Sequence, residues 1–508
     1  MSSSQEEDRV ARQQAILGLG KTYLSTQSLP QEPSANENTT LLPQHVQDDE
    51  NYPPTRTRGI VWSILTILFS VSVIILVGFP QILPDALAPL VGRLPKDPLR
   101  AALHILDGAP VIVRSPASRS SIALYVADLP ILIRELYANN LTAVDLRRDF
   151  AGHVDIPRLQ QGKVGGFFWS VYVGCAAPTE EGEDFLTATW RVRDTLEQID
   201  VAKLAIEQYS DVFHFALSSQ DIRDAISTYW ALKGLPLNIS VPINLFILDR
   251  GHQLGNSLAT LRQYHALGVR YVTLTHTCHN AFADSCGYAP GFPPLHGGLR
   301  QVVWHRNLPN STLSSPLGLR LIDEMNRLGV LVDLSHTSDE TAKMALRYSK
   351  APVIWSHSSA RAVHDVPRNI PDDVLALVGT GRHQTDAVVM INFAPQFVAD
   401  DGRADTAAVA DHVEHVARVT GKKHVGIGSD YDGIGSTPAG LEDVSKYPNL
   451  FAELYRRGWT KHELAGLAGA NLLRILEGAE QTSRELKAAN TPPAFDLYDK
   501  RPDLPRKR

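Results

Sequence analysis

The chain has 508 residues, of which 44% are hydrophobic and 20% are charged, and it carries a net charge of −6 at pH 7. These values are typical of a large globular enzyme of one to three domains. The negative charge and the lack of a long Lys/Arg run argue against nucleic acid as a partner. Three cysteines are too few for a disulfide scaffold.

The N-terminal region predicts a membrane anchor. Residues 1–58 are polar and predict a disordered cytoplasmic tail. Residues 59–80 contain an uncharged run, 60–79, which is long enough to cross a hydrocarbon core of about 30 Å. Arginines before the run indicate that the tail is cytoplasmic and that the rest of the chain is lumenal or extracellular. A cleaved signal peptide is the alternative, but the leader would be unusually long and Pro89 disfavours cleavage.

Short motifs on either side of this run fit the same topology. Three Asn-x-Ser/Thr sequons follow it, at Asn140, Asn238 and Asn310, and predict a glycoprotein. In the tail, Glu37 followed by Leu41 and Leu42 has the pattern of an acidic-dileucine sorting signal. The motifs therefore favour a vacuolar or endosomal destination.

From residue 97 to 485, short apolar runs alternate with amphipathic segments. Apolar strands that alternate with helices predict a parallel sheet covered on both faces. The length suits a TIM-like (β/α)8 barrel, and an open doubly wound sheet is the alternative. Residues 486–508 form a polar C-terminal tail. The strand-like runs are "APVIV", "RYVTLTH", "GVLVDLSH", "APVIWSH", "AVVMINF" and "HVGIGSDYDG", and the helix-like ones include "SLATLRQYHALG", "LRLIDEMNRLG" and "AAVADHVEHVARVTG".

Polar residues directly follow several of these runs. In a barrel they would meet at the carboxyl ends of the strands. Several histidines and a carboxylate at one mouth are typical ligands of a divalent metal, and of zinc in particular. Thr337 and Glu340 form a capping-box pattern that would start a helix just after one of the histidines. The residues expected at the mouth are His276, His336, His357, Asn392 and Asp430.

Several longer stretches resemble one enzyme family. "GKVGGFFWSVYVGC", "GHQLGNSLATLRQYHALGVRYVTLTHTC", "GVLVDLSH", "APVIWSHSSARAV", "RNIPDDVL" and "VGIGSDYDGI" are together similar to the membrane dipeptidases, peptidase family M19. The resemblance covers residues from about 100 to 485. It implies a barrel of the metal-dependent hydrolase type that binds two zinc ions, cleaves dipeptides through a metal-activated hydroxide and forms a dimer.

The resemblance also implies residue roles. His276 is similar to the histidine that polarises the scissile carbonyl group, and Arg368 to the arginine that binds the substrate carboxylate. Asp430 resembles the carboxylate that handles protons and meets the substrate amine. Cys175 and Cys278 match a disulfide of the family. The implied metal ligands are Asp128, Asp249, His336 and His357.

Two positions depart from the family pattern. Val126 stands where the family has a metal-binding histidine, and Asp249 replaces a bridging glutamate, next to Arg250 in place of glycine. Aspartate is one methylene shorter, and a cation at position 250 would repel a metal. His153 in "GHVDIP" is a tempting substitute ligand, but its matched family segment predicts a structural or substrate-side role.

These departures leave alternatives open. One is a catalytically impaired relative that keeps the fold for binding, and another is a related hydrolase of β-lactams or other amides. A further hypothesis is that residues 114–127 and 241–250 come from a faulty gene model, which sequencing of the spliced transcript would test. The leading prediction is a membrane-anchored zinc dipeptidase.

Overall fold

The computed structural model describes the chain in two units, 1–73 and 74–508. In the first unit, only residues 62–71 are described, and they are helical. In the second, the described residues are 94–108, 123–127, 129–148, 150–175, 190–232, 243–248, 251–287, 299, 317–498 and 500–501. Within these ranges the side chains of 123–127, 226–232 and 243–248 are left out. The predicted tail, 1–58, lies outside the described residues.

The predicted membrane span is described only in part, as the helix 62–71. Its apolar side chains are exposed; the side chain of Phe69 is 72% accessible. Among the described residues, no helix has the length and apolar content needed to cross a membrane.

In the part of the chain that the structure describes, nine parallel strands form one sheet. Eight of them pair in the order β1-β2-β4-β5-β6-β7-β8-β9, and the short β3 pairs with the start of β4 on the side opposite β2. This order follows the chain, without the reversal that is typical of doubly wound sheets. No pairing between β1 and β9 is seen among the described residues. The strands are β1 (Ala123–Ala127), β2 (Val164–Val171), β3 (His214–Phe215), β4 (Ile243–Leu248), β5 (Val269–Thr273), β6 (Leu331–Asp333), β7 (Val353–Trp355), β8 (Ala387–Ile391) and β9 (Val425–Ile427).

Helices connect the strands, as the amphipathic segments predicted. The three quoted helix-like segments are confirmed by the helices Leu258–Leu267, Leu317–Leu328 and Thr406–Thr420. The remaining α-helices of the second unit are Pro98–Gly108, Leu129–Tyr137, Ile156–Gln161, Trp190–Gln208, Ser219–Leu232, Asp339–Tyr348, Asp372–Leu375, Pro395–Val398, Tyr447–Arg456, Lys461–Ala465 and Asn471–Ala488.

Side chains on opposite faces of the sheet pack into two separate apolar clusters. In β7, Val353 belongs to the larger cluster and Ile354 to the smaller one; in β5, Val272 and Tyr271 divide in the same way. Successive strand residues point to opposite faces, and β2, β5, β6, β7 and β8 each contribute to both clusters. The sheet is therefore covered on both faces, and functional side chains are confined to the strand ends.

The helix after β6 begins later than the capping-box pattern predicted. Ser338 is the N-cap of Asp339–Tyr348, and its hydroxyl oxygen accepts a hydrogen bond from Thr341 N. Thr337 instead donates its hydroxyl to Leu334 O. The prediction of Thr337 as the cap was wrong because His336 has a left-handed backbone (φ 62°), so the chain turns before the helix starts.

The predicted C-terminal tail packs against the body over its first part. Arg262 donates to Ala494 O, and Ala494 N donates to the buried carboxylate of Glu324. Tyr498 is buried in the larger apolar cluster. Residues up to Tyr498 therefore belong to the folded unit.

Candidate metal centre and active site

Two predicted metal ligands meet at the ends of neighbouring strands. His336 follows β6, His357 follows β7, and both side chains are buried. Their Nε2 atoms lie 3.0 Å apart. Two imidazole nitrogens at this distance need a shared proton or a cation to offset lone-pair repulsion. The chemistry of this donor pair fits a divalent metal such as zinc.

The backbone at His336 is strained and held in place. A left-handed conformation at a residue other than glycine costs roughly 1 kcal/mol or more. The His336 carbonyl accepts hydrogen bonds from Thr275 Oγ1 (3.1 Å), Ser285 Oγ (3.1 Å) and Cys286 N (2.8 Å). These three donors hold the strained turn in place and so fix the backbone position from which the His336 side chain extends.

His276 joins the pair from the end of β5. Its ring stacks on that of His336, with ring centroids 3.7 Å apart, and Tyr172 approaches its edge. Ser285 Oγ lies within hydrogen-bond distance of the carbonyls of both His276 and His336, so its single hydrogen is shared between them. His276 is partly exposed, so it stands between the buried histidine pair and solvent.

Arg368 is buried against the backbone of His357. Its Nη2 donates to His357 O and its Nη1 donates to Ser358 Oγ, both at 2.7 Å. The guanidinium also lies over the ring of Phe397, 5.5 Å from its centroid. The structure thus brings the predicted carboxylate-binding arginine next to the histidine pair and gives it a second task, which is to hold the loop after β7.

The other two predicted mouth residues meet each other. Asn392 follows β8 and donates its amide to Asp430 Oδ2 at 3.0 Å. Asp430 follows β9 and has a left-handed backbone (φ 64°). His153 supports this turn: its Nδ1 accepts from Asp432 N and its backbone N donates to Asp432 Oδ1. These contacts give His153 a structural role, which is one of the two roles that the sequence predicted for it.

The remaining two predicted ligands lie outside the described residues. Asp128 follows β1 and Asp249 follows β4, and these strands pair with β2 on either side. The side chain of Val126 is likewise not described. The predictions for these positions therefore stay predictions.

The disulfide between Cys175 and Cys278 is present, as predicted, with Cα atoms 6.0 Å apart. His252 lies beside it, with Nδ1 3.2 Å from Cys278 Sγ. These three side chains are close enough to resemble a metal site. Because both sulfurs are bonded to each other, neither is a thiolate, and thiolate is the form that binds zinc. The third cysteine, Cys286, is buried, and burial raises the pKa of its thiol.

The sequence interpretation missed the polar network beneath the histidines. Asp333 is the last residue of β6, and its carboxylate is completely buried. It accepts hydrogen bonds from residues on three neighbouring strands, including Ser356, which in turn contacts His357. The signal was present as an acid and a serine inside the apolar runs "GVLVDLSH" and "APVIWSH".

Comparisons with known proteins identify the family. The family model described as membrane dipeptidase (peptidase family M19) matches residues 120–490. The chain belongs to this family. It is 39% identical over 403 residues to the dipeptidase aclJ of Aspergillus oryzae, covering 78% of this chain and 86% of the relative. It is 41% identical over 375 residues to an uncharacterized dipeptidase of Schizosaccharomyces pombe, covering 71% and 81%.

Solved structures share the fold of this M19 chain. The probable dipeptidase PvdM of Pseudomonas aeruginosa matches with a TM-score of 0.60 and 18% identity, covering 76% of this chain and 100% of that one. A metallopeptidase of Rhodobacter sphaeroides, liganded with a phosphinate mimic of the dipeptide L-Ala-D-Ala, matches with a TM-score of 0.56 and 23% identity, covering 71% and 100%. The protein is thus a hydrolase of the M19 dipeptidase family, and its fold combines helices with a parallel sheet.

Proposed function

We propose that the protein is a zinc dipeptidase that cleaves the peptide bond through a metal-activated hydroxide. The observation that carries this proposal is the convergence of His336 Nε2 and His357 Nε2 to 3.0 Å in a member of a dipeptidase family. A zinc ion bound there would lower the pKa of a water ligand towards neutrality. Imidazole nitrogens are ligands that zinc prefers.

We assign three residues to the substrate. His276, stacked on His336 and partly exposed, is suited to donate to the carbonyl oxygen on which negative charge develops. Asp430, oriented by Asn392, is suited to carry a proton and to meet the free amine. Arg368 is suited to bind the terminal carboxylate, because a buried cation is stabilised by an anionic partner. Recognition of both charged ends would favour dipeptides over longer peptides.

A catalytically impaired relative is the second candidate. The observation that favours it is the replacement of two family ligands, by Val126 and Asp249. Loss of a neutral imidazole would weaken one of the two metal sites. In this case the protein would keep the fold and bind dipeptides without cleaving them.

Zinc content and hydrolysis together separate the two candidates. The full chain is purified in detergent, its zinc is quantified, and the cleavage of simple dipeptides is measured before and after chelation. For the enzyme we expect bound zinc, hydrolysis that disappears on chelation and recovery when zinc is added. A folded protein that holds zinc but cleaves no dipeptide would favour the impaired relative, and cleavage that persists without metal would contradict both.

We also propose that residues 60–79 anchor the enzyme in a membrane, with the catalytic unit lumenal or extracellular. The uncharged run and the exposed apolar helix 62–71 support the anchor. The disulfide supports an oxidising compartment, and the exposed Asn140 is accessible for glycosylation. Resistance to carbonate extraction and a shift in mass with a glycosidase would test the two parts separately.

The barrel is proposed on two observations. The strand order follows the chain without reversal, and one cluster joins side chains of β2, β5, β6, β7 and β8 with those of the helix Asn471–Ala488. Side chains from many strands fill the interior of a closed barrel in this way. We therefore propose that β9 closes onto β1. The dimer implied by the family is likewise a proposal, which sedimentation of the purified protein would test.

A further inference from the structure

A buried carboxylate beneath the histidine pair accepts hydrogen bonds from four neutral donors of the described segments. Asp333 Oδ1 accepts from the backbone N–H groups of Ser335 (3.0 Å) and Ser356 (2.8 Å). Its Oδ2 accepts from the hydroxyl groups of Thr273 (2.5 Å) and Ser356 (2.6 Å). Asp333 thereby links the ends of β5, β6 and β7.

The hydroxyl group of Ser356 connects this carboxylate to a histidine. Ser356 Oγ lies 2.6 Å from Asp333 Oδ2 and also 2.6 Å from His357 Nδ1. A serine hydroxyl has one hydrogen, and the carboxylate oxygen beside it is an acceptor. The hydrogen is therefore donated to Asp333, and Ser356 Oγ accepts from His357 Nδ1–H.

This direction determines the tautomer of His357. With the proton on Nδ1, the neutral ring carries its lone pair on Nε2, the atom that faces His336 Nε2 at 3.0 Å. We propose that Asp333, acting through Ser356, is a positioning residue that fixes His357 in the tautomer and orientation required of a metal ligand. The inference rests on the proposed metal function and adds to it two residues that do not touch the metal or the substrate.

We call the hydrogen-bonded chain from Asp333 through Ser356 to His357 the relay. The structure offers a variant that should reverse the direction of its hydrogen bonds. In Asp333→Asn, the backbone N–H groups of Ser335 and Ser356 still require an acceptor at the Oδ1 position. The amide oxygen must therefore occupy that side, and the NH2 group must face Ser356 Oγ. Ser356 would then accept from Asn and donate to His357 Nδ1, which would move the ring proton to Nε2 and block the metal-binding nitrogen.

A matched control separates this effect from a general loss of packing. Thr273→Val removes another hydrogen bond to Asp333 Oδ2 and keeps the side-chain shape. No hydrogen bond of Thr273 reaches His357 among those seen in the described residues. A purely structural role of Asp333 predicts that Thr273→Val and Ser356→Ala have similar effects on zinc affinity. The relay predicts that only Ser356→Ala has a large effect.

The test measures zinc dissociation constants of the full chain by competition with a chromophoric chelator. We expect Asp333→Asn and Ser356→Ala to weaken zinc binding by about 10- to 100-fold, as is usual when the hydrogen-bond partner of a ligand is lost. We expect Thr273→Val to stay within about threefold of the wild type, since it leaves His357 unchanged. Wild-type affinity in both Asp333→Asn and Ser356→Ala would overturn the inference.

A second readout does not depend on activity or on metal. In the metal-free protein labelled with 15N-histidine, we expect His357 to show a protonated Nδ1, and Asp333→Asn to move the proton to Nε2. An unchanged tautomer in that variant would overturn the relay. If the tautomer changes as expected while the wild type binds no zinc, the relay stands and the proposed function fails.

Discussion

One added methyl group at Gly428 tests how closely the end of β9 must approach the site. Gly428 follows β9 and lies two residues before Asp430. A Cβ atom built there would be 2.8 Å from the carbonyl carbon of Ser356, closer still to its oxygen and 3.0 Å from Met390 Cβ. Ordinary contacts begin at about 3.4 Å, so the Gly428→Ala variant requires β7 or β9 to move.

The cost of that movement follows from what surrounds it. The clash involves backbone, which cannot rotate away, and Gly428 N donates to Ile391 O across the sheet. Overpacking of a buried site costs about 1–3 kcal/mol, and we expect the upper end because main chain is displaced. Because the Ser356 oxygen lies closer to the added atom than the carbonyl carbon does, it must move by more than about 1 Å, which would also disturb His357. A misplacement of this order lowers catalytic rates by about 10- to 100-fold.

Urea unfolding and dipeptide hydrolysis measure the two effects on the same preparation. Gly435→Ala is the matched control, because no atom lies within 4 Å of its added Cβ and its backbone is not left-handed. We expect Gly435→Ala to stay within about 0.5 kcal/mol of the wild type, as is usual for surface substitutions. If Gly428→Ala also stayed within that range and kept full activity, the packing argument would be refuted.

Three further predictions concern other parts of the site and its support. Cys175→Ser removes the disulfide to Cys278, which closes a loop of 103 residues. The chain-entropy relation predicts that the free energy of unfolding falls by about 4–5 kcal/mol. Urea unfolding should show this decrease, and dithiothreitol should have no further effect on the variant. Arg368→Lys loses one of the two hydrogen bonds that hold His357 O and Ser358 Oγ, and a hydrogen bond from a charged group contributes about 1.5–3 kcal/mol. We therefore expect kcat/KM for dipeptides to fall by about 10- to 100-fold. Wild-type values would contradict the assigned contacts. Burial lowers the pKa of His412 from its ordinary 6.5 to about 4. The buried neutral ring therefore contributes its full stabilisation above pH 6.5, and this contribution is lost as the pH falls from 6.5 towards 4. The loss amounts to about 3 kcal/mol; His412→Gln, which cannot titrate, should give a flatter stability profile over this range in urea titrations.

The sequence predicted the strands that are marked by apolar runs. Five of the six quoted runs contain strands, β5 to β9, and the first, 109–113, lies outside the described residues. The polar residue after each run was enough to predict that the histidines would meet, because parallel strands end at one edge. Periodicity and the strand-end rule therefore account for β5 to β9 and for the histidine cluster, but not for β1 to β4.

The sequence could not reveal contacts that depend on local backbone conformation or on the orientation of a side chain. The left-handed turn at His336 moved the helix start to Ser338, although Thr337 and Glu340 matched a capping box. The link from Asp333 to His357 depends on which atom of Ser356 faces which neighbour, and spacing alone does not determine this. Such details arise where three strand ends meet and backbone strain is offset by several hydrogen bonds.

The position of this network bears on the two departures from the family. The donors that hold His336 and His357 come from β5, β6, β7 and the segments that follow them. None of these donors lies in 114–127 or 241–250, the blocks that carry Val126 and Asp249. Replacement of family ligands in those blocks therefore leaves the histidine pair supported. We expect purified protein to retain about one zinc ion per chain rather than none, because His336 and His357 with Asp249 as a third ligand would make up the three-ligand set typical of catalytic zinc. Metal quantification that gave no zinc in a folded preparation would show that this ligand set is not enough.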